Sequence, residues 1–376
     1  MSIESNENPP AGEGAIATPR RRRNQIENLG LIRKVWPWAF FALLVVSFTI
    51  ASKQMNNVDF ISNRSVQGIL EYTTQILLIG LAETFVIITG GIDLSVGWIL
   101  GLSSVIAAQV MATLYASGAS PLVTVGAGAL AGVSVAVVPG FINGLLVARV
   151  KIPSFIATLG MGILVEGIAL LISGGYSVAK LPPYLGALGN GYVLRIWPGH
   201  GVAFFTLPAS ATGADLQDMI PLMPNVVLVT LIVTIVCWFV LAKTQFGQHM
   251  YAIGGNFEAS MRAGIPVRRT LIKVYIVAAV LAGIGGVLWA ARFTSGAYNA
   301  GEYTPMMAIA AVVIGGASLF GGEGTVIGTL VGSLIIATIQ YGLVVLGVSP
   351  FYQYVAVGLV LILAVVVDQF GRNLGK

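Results

Sequence analysis

Ten stretches of about twenty residues, roughly 35–51, 67–89, 95–115, 122–148, 154–173, 223–242, 271–291, 304–320, 325–346 and 350–367, carry almost no charge. A bilayer core of about 30 Å is crossed by about twenty apolar residues in a helix. Charged residues make up only 9% of the 376, too few to cover a surface facing water, where a soluble domain carries about 25%. The runs also lack the short alternation of a barrel strand. The expected fold class is therefore all-α, a polytopic transmembrane helical bundle of about ten spans. Glycines, polar residues or an acid interrupt the second, third, fifth and eighth windows, so one or more of these helices is expected to be broken or re-entrant.

The basic residues give the orientation. With the N-terminus inside and the spans alternating, fifteen of the 20 Lys and Arg fall on the inner side, among them Arg20 to Arg23, Arg149, Lys243, Arg268, Arg269 and Arg372. Lys53, Arg64, Lys180, Arg195 and Arg292 fall outside. That asymmetry places both termini in the cytoplasm. It also accounts for the net charge of +5 as a topogenic signal, with no nucleic-acid partner. Residues 1–34 are polar and rich in Pro, Gly, Glu and Asn, and read as a disordered cytoplasmic tail. The membrane domain is expected over 35–368, with a short cytoplasmic tail at 369–376. An external loop over 174–222, proline-rich with apolar patches, reads as a folded cover. Cys237 is the single cysteine, which excludes an internal disulfide or a cysteine metal cluster.

Within this apolar sequence, Gly90-Gly91-Ile92-Asp93-Leu94-Ser95-Val96-Gly97 stands out. A carboxylate at the bilayer centre costs roughly 2.5–3.5 kcal/mol on insertion scales and so faces protein or water. Glycines that interrupt a helix free backbone groups that lipid cannot satisfy. The segment therefore marks a break at a pathway. Asp93 reads as the group that caps the restarted helix, and Glu83 lies one side of the same break. Glu71 and Glu166 are the other acids in or near the spans. Gly315 and Gly316 form a second break, and Ile88-Thr89-Gly90-Gly91 can be laid over Val313-Ile314-Gly315-Gly316 as an internal duplication.

The inner loop 243–270 is different in character. Asn256 is a good N-cap. Glu258 falls in the first turn and Arg262 in the last, complementing the helix dipole and spaced for an i,i+4 pair. Gly264 suits a left-handed helix end and Pro266 blocks continuation. Spacing alone leaves two readings open, an ordinary loop helix or a knob that docks into a separate cytoplasmic protein.

Thr244-x-Phe246-Gly247, Tyr251-Ala252-Ile253-Gly254-Gly255-Asn256 and Ala263-Gly264-Ile265 closely resemble the cytoplasmic loop of permeases of the ribose/xylose/arabinose ABC importer family. Thr89 to Gly97 resembles a second hallmark of that family. Ala308 to Leu319, with Gly321-Gly322-x-Gly324, resembles a third. The resemblance covers about 35–368. It implies a membrane permease subunit, working beside a cytoplasmic ABC ATPase, an external sugar-binding protein and a second permease copy or a homologous permease, in the bacterial inner membrane. Phe246, Gly247, Gly254, Gly255, Asn256, Glu258, Arg262 and Gly264 would then couple to the ATPase. Glu83, Gly90, Gly91, Asp93, Ser95, Gly315 and Gly316 would shape the pathway or its helix breaks.

The chain has no Gly-x-x-x-x-Gly-Lys-Ser/Thr segment to cradle ATP. No catalytic residue, metal or cofactor is expected in this chain, and ATP and Mg would be bound by the partner ATPase. The alternative is a stand-alone secondary transporter or channel working through Asp93 or Glu83. Which sugar or polyol would pass is not written in the sequence.

Overall fold

The structure is a computed structural model that describes residues 19–198, 201–205, 219–349, 351–356, 358, 359 and 362, with side chains from residue 35 onward. The chain divides into two units, Met1–Trp36 and Pro37–Lys376. The boundary falls inside the first helix, α1 (Pro19–Asn56). The proposed tails at 1–34 and 369–376 lie wholly or largely outside the described side chains.

In the larger unit the chain continues as α2 (Asn63–Ile88), α3 (Val96–Ala116), α4 (Pro121–Leu145), α5 (Ser154–Ser173), α6 (Pro183–Asn190), three strands, α7 (Asn225–Lys243), α8 (Gln245–Gly255), α9 (Phe257–Arg262), α10 (Val267–Phe293), α11 (Thr304–Ile314) and α12 (Val326–Val345). Eight described helices are long and apolar enough to cross a membrane. The protein is a polytopic helical bundle. The window 304–320 resolves into α11, an 11-residue helix of about 16 Å, too short to span. The window 350–367 lies mostly outside the described residues.

α2 is the central element. From Ile76 to Ile88 it is apolar but for Glu83 and Thr84, as suits a helix surrounded by protein, and Leu78, Ile79, Leu81, Phe85 and Ile87 are fully buried. α10 packs along it and against α3 and α4. The α10 contacts depend on small residues. A methyl at Gly286 would lie 2.4 Å from the Leu100 carbonyl oxygen, and one at Gly140 would meet Ala279 and the backbone of Tyr275. Close backbone approach of this kind replaces the hydrophobic drive that lipid cannot supply. α4, α5 and α7 instead turn apolar side chains outward, with Leu122, Leu130, Ile163, Leu171 and Phe239 exposed. That is the surface a lipid solvent requires. α4 ends in a π-turn over Leu146–Val150, and Lys151 then takes a left-handed conformation.

Between α5 and α7 lies a feature that hydropathy did not anticipate. β1 (Tyr192–Trp197) is the centre of an antiparallel sheet, flanked by β2 (Gly201–Phe204) and β3 (Ile220–Pro224). Its strands are too short and proline-punctuated to announce themselves against the helices. The sheet is fastened to the first turns of α2, where Asn63 Nδ2 donates to the Pro221 carbonyl at 2.7 Å and Gln67 donates to the same oxygen.

A glycine-bounded helix break and the loop beneath it

α2 stops abruptly. The Gly90 N–H donates to the Ile87 carbonyl (2.9 Å) and the Gly91 N–H to that of Val86 (3.1 Å), with Gly90 at φ +81°. This is the Schellman arrangement that closes a helix on a left-handed residue. α11 ends the same way, through Gly316 to Val313 (2.9 Å) and Ala317 to Val312 (3.1 Å), with Gly316 at φ +92°. The two breaks are thus alike in hydrogen bonding, one residue out of the register that the sequence overlay suggests. Gly90 corresponds to Gly316. Gly315 serves another purpose, since a methyl there would lie 2.2 Å from the Gly328 carbonyl oxygen at the start of α12. The two helix ends lie side by side, with Ile87, Val312 and Ala317 in one apolar cluster.

Beyond Gly91 the chain folds back, and Asp93 returns to the level of Glu83, where its N–H points at Glu83 Oε2 (3.5 Å). Both side chains are wholly buried. Asp93 Oδ1 accepts from the Ser95 N–H (2.9 Å) and hydroxyl (2.5 Å), a local turn that starts α3. Ser95 Oγ accepts in turn from Asn143 Nδ2 on α4 (2.9 Å). α5 supplies Ser154 and Thr158, four residues apart on one face, whose hydroxyls accept from the N–H groups of Ile92 (3.1 Å) and Leu94 (3.2 Å). The Tyr275 hydroxyl of α10 pairs with Ser154 and stands where a side chain on Gly91 would be. α5 therefore satisfies backbone N–H groups that the break releases, as burial of polar groups demands, while α4 and α10 bond the side chains of Ser95 and Ser154. Glu83 Oε1, Asp93 Oδ2 and Asn143 Oδ1 have no protein partner.

The loop 243–270 packs against this break. α8 begins with Thr244 accepting from the Gly247 N–H (3.4 Å). Gly247 lies against the Leu241 backbone at the α7–α8 corner, where a methyl would come within 2.0 Å of the carbonyl oxygen. Phe246 stacks on Phe85, ring centroids 6.4 Å apart, one turn above the end of α2. At the other end of α8, Gly254 lies directly against α2's last carbonyl, and a methyl there would sit 1.8 Å from Ile88 O and 2.5 Å from Gly322 N. The Gly322 N–H donates to that same Ile88 oxygen (2.9 Å), while the Tyr251 hydroxyl donates to the Gly324 carbonyl (2.7 Å). Burial raises the Tyr251 phenol above its ordinary value, keeping it a donor. The segments 90–97, 246–254 and 315–324, separated by long stretches of sequence, share one contact.

The rest of the loop stands clear. Asn256 Oδ1 accepts from the Ala259 N–H (2.9 Å), capping α9. Glu258 and Arg262 face each other at 3.8 Å, largely exposed, and Gly264 ends the helix at φ +80°. Phe257 and Met261, also i,i+4, are about half exposed. A side chain at Gly255 would meet nothing. The residues picked out from the sequence thus fall into two sets, one packed under the break and one presented to solvent. The sequence reading quoted Tyr251 within a motif without giving it a role, and passed over Asn143, Ser154, Thr158 and Tyr275. The i,i+4 hydroxyl pair and a lone Asn in an apolar helix were the available signals. Glu166, partly exposed on α5, takes no part, and Glu71 pairs with Arg292 instead (2.8 Å).

Residues 65–365 match the family described as branched-chain amino acid transport system / permease component. The chain belongs to this permease family. Among characterised permeases it is 35% identical to the ribose import permease protein of Bacillus subtilis (strain 168) over 341 residues, covering 90% of this chain and 94% of that one. It is 34% identical to the L-arabinose ABC transporter permease protein of Azospirillum brasilense, over 97% of this chain and 95% of that one. It is also 34% identical to the fructose import permease protein of Rhizobium meliloti, over 90% and 86%. No solved structure matches this permease.

Proposed function

We propose that this chain is the permease subunit of an ATP-binding-cassette importer that carries a small sugar or polyol across the bacterial inner membrane. The relatives' names supply the substrate class: ribose, L-arabinose and fructose for those above, and D-allose for a 34% identical permease of Escherichia coli (strain K12). A separate cytoplasmic ATPase binds ATP and Mg, an external binding protein delivers the sugar, and two permease copies line the path. Both termini are cytoplasmic, as the basic residues indicate.

The contact of the inner loop with the helix break carries this reading. α9 offers an apolar pair, Phe257 and Met261, flanked by the Glu258–Arg262 pair, to a partner of the kind that buries aromatic anchors. α8 transmits the displacement. Gly254 and Tyr251 are fixed to α2's end and to the 321–324 turn, so movement of α9 is passed to both breaks at once through backbone contacts. Close-packed interfaces shift between discrete arrangements and deform little in between. A stand-alone carrier has no use for such an external handle.

Reconstitution tests the reading. Proteoliposomes containing the permease, its ATPase and its binding protein are expected to accumulate at least one of ribose, arabinose, fructose and allose only when all three proteins and ATP are present. Accumulation by the permease alone would remove the ABC reading in favour of a secondary transporter.

A further inference from the structure

α4 and α10 run antiparallel in contact, and small residues on α4 set their register. A methyl at Gly140 would lie 3.3 Å from the Ile276 Cα, and one at Gly144 would lie 2.7 Å from the Ile272 Cα. One turn further on, Ala148 joins Val267 and Leu271 in an apolar cluster. Four-residue steps along α4 thus match four-residue steps back along α10, as two packed helices require. The series brings the π-turn Leu146–Val150 beside the start of α10. Arg149 and Lys151 therefore stand at the same end as Arg268, Arg269 and Lys273, and all five residues are exposed.

Nothing acidic offsets this charge. Among the described residues the ion pairs lie elsewhere, at Lys53–Asp59, Glu258–Arg262 and Glu71–Arg292. Arg268 and Arg269 also occupy the first turn of α10, which holds no acid, and there the helix dipole opposes positive charge. Such a surface favours an anionic partner. Its rim is apolar, since Val150, Phe155 and Ile156 are each half or more exposed beside Arg149 and Lys151. They continue the outward faces of α4 and α5, where Leu130 and Ile163 are exposed as well. An acidic protein surface would complement the charges and leave those apolar side chains in water. A phospholipid satisfies both, its headgroup on the cations and its acyl chains along α4 and α5. Long Lys and Arg stems at helix ends reach such headgroups while keeping their charge in water.

We infer that this patch binds an anionic phospholipid of the inner leaflet, whose phosphate is drawn to Arg149, Lys151, Arg268 and Arg269. The choice of leaflet rests on the orientation proposed above. The charge of the lipid and the residues that hold it depend neither on that orientation nor on what the permease carries. Basic clusters at the ends of membrane helices attract anionic headgroups. The bound lipid also steadies the seat of α8, because Ile253 packs in the same cluster as Ala148, Val267 and Leu271.

The test is native mass spectrometry of the full-length permease in detergent, with phosphatidylglycerol and phosphatidylcholine added in equal amounts. Wild type is expected to retain phosphatidylglycerol several-fold more than phosphatidylcholine. Combining Arg149→Gln, Lys151→Gln, Arg268→Gln and Arg269→Gln should abolish that preference, each charge being worth about fivefold. The pair Lys53→Gln and Arg64→Gln, at the other end of the helices, should leave it intact. Inner basic residues also direct insertion, so the site is mapped in wild type too. Phosphatidylglycerol with a photoreactive acyl chain should label residues 141–156 above the other lipid-facing segments. Excess phosphatidylglycerol should compete, and neither phosphatidylcholine nor inorganic phosphate should. Equal retention of the two lipids by wild type, a preference that survives the four substitutions, or labelling spread evenly over the lipid-facing helices would overturn the inference. An unchanged lipid preference with loss of ATPase co-purification would assign the patch to an acidic protein surface instead.

Discussion

Gly254 and Gly255 are chemically identical neighbours in the same helix, and the structure assigns them opposite sensitivity. A methyl on Gly254 would sit 1.8 Å from Ile88 O, 2.5 Å from Gly322 N and 3.0 Å from the Ile88 carbonyl carbon. An ordinary nonbonded contact needs about 3.5 Å, so α8 must retreat by roughly 1.5 Å or α2's last turn must open. Either movement strains the Gly322–Ile88 bond and the Tyr251–Gly324 bond. Overpacking of this kind costs about 1–3 kcal/mol, and each lost hydrogen bond about 0.5–1.5 kcal/mol more. A methyl on Gly255 meets nothing, and alanine gains about 1 kcal/mol in helix propensity over glycine there. The assay is paired measurement of ATP hydrolysis and sugar uptake in proteoliposomes. Gly254→Ala is expected to lose most uptake per ATP hydrolysed while still inserting and assembling, and Gly255→Ala to behave like wild type. Equal loss in both, or none in either, would refute the claim that Gly254 transmits the motion by contact.

The same geometry makes further demands. Asn256→Ala removes the α9 cap at about 1 kcal/mol, and Gly264→Ala forces a left-handed alanine at about 1–2 kcal/mol. Both should weaken ATPase association, measured by co-purification, without altering membrane insertion. Asp93→Ala leaves the Ser95 N–H and hydroxyl without their acceptor and should lower the thermal midpoint of the purified permease by the equivalent of about 1–3 kcal/mol. Asp93→Asn, which keeps the acceptor oxygen, should recover most of that loss. Tyr251→Phe should cost about 1 kcal/mol and reduce coupling. Because burial raises the Tyr251 phenol, its contribution is complete below the ordinary tyrosine range and is lost only as pH rises through the elevated value. The contribution of Tyr251 to coupling should therefore stay constant between about pH 6 and pH 9.

Helix positions were legible because lipid imposes one requirement, a long run without charge, that each window meets or fails alone. The α9 helix was equally legible, since Asn256, Glu258, Arg262 and Gly264 act within one stretch of nine residues. The break at Gly90 could be seen, but its register against Gly316 could not. A one-residue shift leaves both glycine pairs aligned by eye, and only the hydrogen bonds of Gly90 and Gly316 separate them. The partners of the break were hidden for a different reason. Asn143, Ser154, Thr158 and Tyr275 come from three other helices, and nothing local to any of them says which backbone it meets. Arg292 illustrates the same limit. Counted as an outer basic residue for topology, it turns out to hold Glu71 across more than two hundred residues of chain.

On the proposed function, energy enters this permease through α9 and reaches the helix break through α8. Photocrosslinking tests it most directly. A benzoylphenylalanine in place of Phe257 is expected to give a light-dependent product with the ATPase subunit in reconstituted importer, identified by mass spectrometry, and the same probe at Leu171 none. The product yield should change between the ATP-bound and ATP-free states. A probe at 257 that reaches only lipid or a second permease copy in both states would contradict the account.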